Sequence, residues 1–117
     1  MIKIEAVVRP ERVNVVLEAI VEAGCQGYSY TNVTGRGQQQ GVEVFTGRGG
    51  QVVSRASVPK TIISAVVNDD QKDAVIEAIV ANARSGEDGA IGDGKIFVSP
   101  VSEVVRVRTG ERDGAAL

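Results

Sequence analysis

The chain opens with a regular alternation of apolar and polar residues, which predicts a β-strand from Ile2 to Val8. Pro10 ends this pattern. Apolar residues then recur every three or four positions from Glu11 to Ala23, the spacing of an amphipathic helix. Tyr28 to Thr34 is rich in residues that favour extended backbone, so it predicts a second strand.

The second half of the chain follows the same course. An apolar strand is predicted from Thr61 to Val67, followed by a helix that ends near Ala83. A fourth strand is predicted from Ile96 to Ser99 and a short fifth one from Val104 to Val107. The tail from 110 to 117 is polar, and we expect it to be flexible.

An internal repeat supports this order of elements. Ile4–Val8 corresponds to Ile63–Val67, and Val16–Val21 corresponds to Val75–Val80 at the same offset. Two strand–helix–strand units give the ferredoxin-like α+β plan, βαββαβ, in one domain over residues 1–117. The third strand is almost continuously apolar, so we expect it to be buried on both faces. Because two helices cover only one face of a sheet, we expect self-association to cover the other.

The regular spacing of apolar and polar residues is lost over residues 35–60, which predicts a long loop between strands 2 and 3. Two short β-prone segments, Val42–Phe45 and Gln51–Val53, interrupt a stretch rich in Gly, Gln and Ser. The segment is either an ordinary extended hairpin or a mobile loop that binds a partner. We favour the second, because connections of this length are rare in compact domains without a function.

Composition narrows the classes of function. The 117 residues carry a net charge of −2 and contain no histidine and one cysteine, Cys25. The charge argues against a nucleic-acid surface, and the missing histidine removes the commonest general base. Cys25 is expected to be a buried structural residue. With no long apolar run and no leader before the first strand, we expect a cytoplasmic binding protein rather than an enzyme.

The candidate chemistry lies in the glycine-rich loop over residues 85–95. Backbone N–H groups of its final Gly92-Asp93-Gly94-Lys95 can form a concave phosphate site, with the lysine as a point charge. Arg106 and Arg108 would share one face of the predicted fifth strand. The alternative is an ordinary turn followed by a solvated basic strand. A P-loop NTPase is excluded, because Ile96 replaces the required hydroxyl residue and a strand follows in place of a helix.

The whole chain resembles the P-II signal transduction family. The resemblance rests on five motifs: Val7-Val8-Arg9-Pro10, Gly35-Arg36-Gly37-Gln38-Gln39, Pro59-Lys60, Ile91 to Val98, and Val105 to Glu111. It implies a homotrimer with ATP or ADP in clefts between subunits. It also implies that residues 36–58 dock on a target transporter or metabolic enzyme, in nitrogen or energy sensing. No nucleic-acid partner is expected, and the protein would dock on a membrane protein without entering the membrane.

The resemblance also implies a set of site residues. The phosphates would be bound by Gly92, Asp93, Gly94 and Lys95, and by Arg106 and Arg108 from the neighbouring subunit. The rest of the nucleotide cleft would be lined by Val7, Ser29, Gly35, Gly37, Gln38, Ser64 and Val66. Gln39 and Lys60 occupy the positions linked with Mg²⁺ and 2-oxoglutarate.

Departures from the family pattern leave the ligand and the partner open. The long loop contains no tyrosine, so uridylylation of a loop tyrosine is excluded. Glu87 and Asp88 precede the phosphate site and would repel additional phosphates, which favours ADP or AMP over ATP. The alternative function is an ACT-type regulatory domain that binds a small metabolite such as an amino acid. Such a domain would have no use for Arg106 and Arg108.

Overall fold

The computed structural model describes residues 1–36 and 58–117, together with the backbone of residues 43–45 and 52–54. The first half contains strand β1, helix α1 and strand β2; two short strands, β3 and β4, follow. The second half contains strand β5, helix α2 and strand β6. Their bounds are β1 Ile2–Val8, α1 Val13–Glu22, β2 Ser29–Gly35, β3 Glu43–Phe45, β4 Val52–Ser54, β5 Val58–Val67, α2 Lys72–Ala83 and β6 Gly94–Pro100.

Four antiparallel strands form one sheet in the order β2-β5-β1-β6. β1 is central, with Ala6 opposite Ile63 of β5 on one side and opposite Ile96 of β6 on the other. Among the described strands, β3 and β4 pair with each other and with no other strand. The two strands of the internal repeat, β1 and β5, are therefore neighbours in the middle of the sheet.

The core lies between the two helices and one face of this sheet. Every second residue of β1, from Ile4 to Val8, is buried there, and the same alternation continues along β5. α1 contributes buried Val16 and Ile20, and α2 contributes Val75 and Ile79. The alternation in the sequence thus selects the helix-facing side of each central strand.

The opposite face of the sheet carries no helix in the described part of the chain. The third strand was expected to be buried on both faces, with self-association covering the second face; one chain shows burial of the helix-facing side, and burial of the other side stays a prediction. Ile63, Ala65 and Val67 of β5 are buried under the helices, whereas Ile62 and Val66 on the other face are only half-buried. The strand also begins at Val58, three residues before its predicted start at Thr61.

The predicted fifth strand over Val104–Val107 is wrong. Residues 107–109 form a turn, and the pairing described in this region is a single antiparallel bridge between Val105 and Arg112. The turn is held by backbone bonds from the Arg106 N–H to the Glu111 carbonyl and from the Gly110 N–H to the Arg106 carbonyl. Alternation along a strand therefore does not align Arg106 with Arg108.

Two further expectations concern the chain ends and the long loop. The tail carries a 3-10 turn at Asp113–Ala116, whose first N–H donates to the Val104 carbonyl. Most of the long loop, residues 37–42, 46–51 and 55–57, lies outside the described residues, so its predicted mobility stays a prediction. Within the described ranges, no helix has the length and apolar character needed to cross a membrane.

Cys25 lies in the core just after α1. Its side chain is buried, and its thiol donates a hydrogen bond of 3.2 Å to the carbonyl of Gly27. Burial raises the pKa of the Cys25 thiol, and the Gly27 hydrogen bond offsets part of that rise. A neutral thiol in an apolar cluster fits the structural role expected for this residue.

Candidate functional site

A cleft of about 370 Å³ opens where the ends of β2, β5 and β1 meet the start of β6. Ten described residues line it: Val7, Val33, Gly35, Arg36, Val58, Lys60, Gly92, Gly94, Lys95 and Phe97. Three of them are cations from three different segments, and none of the ten is a carboxylate. The volume falls in the range of small-molecule sites, and the charge favours an anionic ligand.

Gly94 allows the glycine-rich loop to approach the sheet closely. A Cβ atom built on Gly94 would lie 1.9 Å from the carbonyl oxygen of Val7, and the residue has φ +124°. A side chain is excluded by that contact, and the backbone angle is one that L-residues rarely adopt. Val7 and Gly94 both line the cleft, so this close approach forms part of its wall.

Two cations, Lys60 and Arg9, hold the loop against the sheet. The Lys60 ammonium donates to the carbonyl oxygen of Gly92. Arg9 donates from Nη2 to the carbonyl of Ile91 at 2.9 Å and from Nε to Asp93 at 3.1 Å. Three consecutive residues of the loop, 91–93, are therefore anchored to the ends of β1 and β5.

The electrostatics of Lys60 reflect this crowded position. Burial lowers the pKa of Lys60, and the nearby Arg9 charge lowers it further, while Glu11 and Asp93 act in the opposite direction. An anion in the cleft would stabilise the charged form of Lys60, because it adds a negative neighbour to a partly desolvated ammonium. Ligand binding and protonation of this lysine are therefore linked.

Asp93 is turned into the loop. Its backbone N–H donates to the Ala90 carbonyl at 3.1 Å, and its carboxylate accepts hydrogen bonds from Ser85, Ala90 and Arg9. Burial raises the pKa of Asp93, but the hydrogen bonds from Ser85, Ala90 and Arg9 outweigh it and hold the pKa far below its usual value. Asp93 is thus a fixed negative charge whose hydrogen-bonding groups are engaged within the loop and with Arg9.

The structure brings six of the expected site residues into this cleft, namely Val7, Gly35, Lys60, Gly92, Gly94 and Lys95. Ser29 and Ser64 are directly opposite one another in the pairing of β2 with β5, and Val66 is two residues further along β5. These three continue the helix-free face of the sheet beyond the cleft. Gly37, Gln38 and Gln39 lie outside the described residues.

Arg106 and Arg108 are not among the described residues that line the cleft of their own chain. Arg106 donates from Nη1 to Oε1 of Glu111 at 3.0 Å and from Nη2 to the backbone oxygen of Leu117 at 3.3 Å. Both partners of the Arg106–Glu111 ion pair are more than a third exposed, so the pair contributes little stability. An anion of higher charge could replace Glu111 at this guanidinium at little cost.

Four cleft residues were missed in the sequence: Val33, Arg36, Val58 and Phe97. Alternation gives the signal for two of them, because Phe97 is two residues from Lys95, and Val33 is two from Gly35. Val58 was missed because β5 starts earlier than its apolar pattern suggests. Arg9 and Ser85 were also missed as loop anchors, since nothing in their local sequence specifies contacts across 84 and 8 positions.

Fold and site together define a small domain of mixed helix and sheet, with a cleft that three cations line between the end of the sheet and a glycine-rich loop. The family model described as "Nitrogen regulatory protein P-II" matches residues 1–111. The chain therefore belongs to the P-II family of nitrogen regulatory proteins, as the motifs suggested. Membership supports a role as a regulator in signal transduction, and it favours that role over the ACT-type alternative.

Relatives with this name are similar over nearly the whole chain. Nitrogen regulatory protein P-II 2 of Methanothermobacter thermautotrophicus is 48% identical over 112 residues, covering 95% of this chain and 92% of the relative. Nitrogen regulatory protein P-II of Cereibacter sphaeroides is 46% identical over 112 residues, covering 95% of both chains. That of Nostoc punctiforme is 42% identical over 117 residues, which is the full length of both.

Proposed function

We propose that this protein is a non-catalytic sensor that binds adenine nucleotides in the cleft and regulates a transporter or metabolic enzyme through residues 36–58. The observation that carries the proposal is the arrangement of Arg36, Lys60 and Lys95 around a glycine-walled cleft whose described lining contains no carboxylate. Hydrogen bonds from charged donors to phosphate are the strong ones in such sites. Gly92 and Gly94 bring backbone close to the ligand, and the apolar Val33 and Phe97 offer surface for a base.

The proposed assembly is a homotrimer with the ferredoxin-like plan, in which each cleft is completed by a neighbour. Ile62 and Val66 on the helix-free face are half-buried in one chain, and Phe97 on the same face is 55% exposed. Apolar surface of this kind favours association. Arg106 and Arg108 would then reach the phosphates from the adjacent subunit, with the ligand replacing Glu111 as the partner of Arg106.

Mg²⁺ and 2-oxoglutarate are proposed as additional ligands of the nucleotide-bound state. Among the described residues, no group of three or more carboxylate or cysteine side chains could hold a metal ion. Mg²⁺ is usually held by nucleotide phosphates together with one or two protein oxygens; the Gln39 amide would supply one. Lys60 would bind a carboxylate of 2-oxoglutarate by exchanging its Gly92 carbonyl contact for the ligand.

A calorimetric titration tests the proposal. ATP, ADP and AMP are each titrated with and without Mg²⁺ and 2-oxoglutarate, against the wild type, Lys95→Ala and Lys72→Ala. Lys95 lines the cleft, whereas Lys72 is on α2 and pairs with Asp73. We expect Lys95→Ala to weaken nucleotide binding about tenfold or more, the scale of one hydrogen bond to a charged group, and Lys72→Ala to have no effect. Absence of binding by all three nucleotides to the wild type at millimolar concentration would refute the proposal.

A further inference from the structure

The carboxylate of Asp93 is the most heavily hydrogen-bonded side chain of the glycine-rich loop. Its Oδ1 accepts from Nε of Arg9 at 3.1 Å and from the hydroxyl of Ser85 at 2.5 Å. Its Oδ2 accepts from the N–H groups of Ser85 and Ala90, both at 2.8 Å. A carboxylate has about four acceptor sites, and here all four meet donors.

These donors come from three separate parts of the chain. Arg9 directly follows β1, Ser85 begins the glycine-rich loop just beyond the end of α2, and Ala90 lies in the middle of the loop. One side chain therefore ties both ends of the loop to each other and to the sheet. Arg9 strengthens this arrangement because it also binds the Ile91 carbonyl, on the other side of Gly92.

The space around the carboxylate is filled as well. A Cβ atom at Gly89 would lie 3.2 Å from Oδ2 of Asp93 and 3.2 Å from Cγ of Arg84, and Gly89 has φ +74°. The turn before Ala90 therefore packs directly on the carboxylate. The Asp93 side chain is only 17% exposed, and that of Arg9 is 21% exposed, so solvent screens this ion pair less than the surface pairs.

We propose that Asp93 is a positioning residue, which holds Gly92, Gly94 and Lys95 in place for a nucleotide phosphate, and that Arg9 and Ser85 act through it. This inference rests on the proposed nucleotide function and replaces the direct phosphate contact expected for Asp93. A second anion beside a phosphate would repel it, but here the charge of the carboxylate is offset by four donors, one of which is the positively charged Arg9. A loop fixed before binding loses less conformational freedom when the ligand arrives, which raises affinity.

The test compares substitutions that each change one chemical group with a matched control substitution. Asp93→Asn keeps the shape but replaces one acceptor oxygen by an NH₂ donor, which must then face an N–H or a guanidinium. Asp73→Asn is the matched control, because Asp73 is 84% exposed on α2. Ser85→Ala removes one hydroxyl donor, and Ser85→Thr retains it. Ser85→Ala also covers the case in which Asp93→Asn does not fold.

Two measurements are made on each folded variant: ADP and ATP affinity by calorimetry, and amide hydrogen exchange of residues 85–93 without ligand. We expect Asp93→Asn to weaken binding about tenfold or more and Ser85→Ala about threefold to tenfold. Ser85→Thr should bind within about twofold of the wild-type affinity, and Asp73→Asn should leave the affinity unchanged. Exchange at Ser85 and Ala90 should increase in Asp93→Asn and Ser85→Ala, while exchange in β1 and β5 stays slow.

Unchanged affinity of both Asp93→Asn and Ser85→Ala, beside a wild type that binds, would overturn this inference and leave the proposed function standing. Weakened binding without faster exchange in the loop would also overturn it, since that result indicates direct ligand contact. A wild type that binds neither nucleotide refutes the proposed function, and the positioning role fails with it.

Discussion

At the scale of single residues, the cleft depends on one position where any side chain is excluded. Gly94 starts β6 opposite Val8, and its α-carbon approaches the carbonyl of Val7 more closely than a Cβ would permit. Gly27 provides a contrast, because a Cβ built there meets nothing within 4 Å. The two glycines are the same residue type in very different surroundings.

We therefore expect Gly94→Ala to lower the free energy of unfolding by about 3 kcal/mol or more, since backbone strain and a steric clash add. Gly27→Ala should change it by no more than about 0.5 kcal/mol, as at an ordinary surface position. Urea unfolding of both variants measures the difference. Equal, small effects in the two variants would contradict the close approach described at Gly94.

Asp93 gives stability a specific dependence on pH. Its pKa is lowered in the folded protein, so its contribution is present above the unfolded pKa of about 3.9 and is lost as the pH falls toward the folded pKa. The wild type should therefore exceed Asp93→Asn in stability at neutral pH, and this advantage should shrink below about pH 4. Denaturant unfolding at several pH values measures it. A stability difference that is constant between pH 3 and pH 7 would rule out the depressed pKa.

At the scale of elements, the segment 36–57 connects two paired strands. Gly35 of β2 is directly opposite Val58 of β5, so the ends of the segment are already adjacent. The buried core residues of the described chain lie between Ile4 and Cys25 and between Val58 and Ala83. The core and the cleft lining seen in the described residues thus come from outside residues 37–57, with Arg36 and Val58 at the two borders.

Replacement of residues 42–54 by a short flexible linker should change the free energy of unfolding by less than about 1 kcal/mol, because closing a shorter loop between adjacent ends costs little. Nucleotide affinity should remain within about threefold, while regulation of the target is lost. Unfolding and calorimetry on the shortened chain test the first two statements. Loss of the folded state would show that the segment is part of the domain rather than a separate effector element.

At the scale of the whole molecule, the sheet has one covered and one open face. The helices bury one side, and the cleft opens at the end of the other, where Val7, Lys60, Lys95 and Phe97 are all located. Association through the open face would bring a second chain close to the cleft. Assembly and ligand binding are then coupled through mass action.

We predict the mass of three chains in light scattering at micromolar concentration; a monomer mass would contradict this.

Mixing subunits then tests whether the cleft is shared. Lys95→Ala and Arg106→Ala should each weaken nucleotide binding by roughly 1.5–3 kcal/mol, the scale of a hydrogen bond to a charged group. In mixed trimers, some clefts combine the intact Lys95 of one subunit with the intact Arg106 of another and should bind at wild-type affinity. Mixed trimers that form without recovering such sites would exclude a shared cleft.

The sequence by itself determined the two helices, the four strands of the main sheet and their order along the chain, but not the absence of a strand at Val104–Val107. Ile2–Val8 was predicted with its observed bounds, and both helices were recognised from their apolar spacing. These features are local, because alternation and helical periodicity are set by which face of an element is buried. The motif from Gly92 to Lys95 and the family resemblance likewise needed only the order of residues.

The tertiary structure decided what depends on distant contacts. It placed Arg9 beside Asp93, 84 positions away, and turned that carboxylate into the loop. It also replaced the predicted strand around Arg106 by a turn held by Glu111, although Val105 and Val107 favour strand by their composition. The preference of a residue for a strand depends on packing against partners across the sheet. Val107 is 99% exposed, so no burial of its side chain favours an extended backbone here.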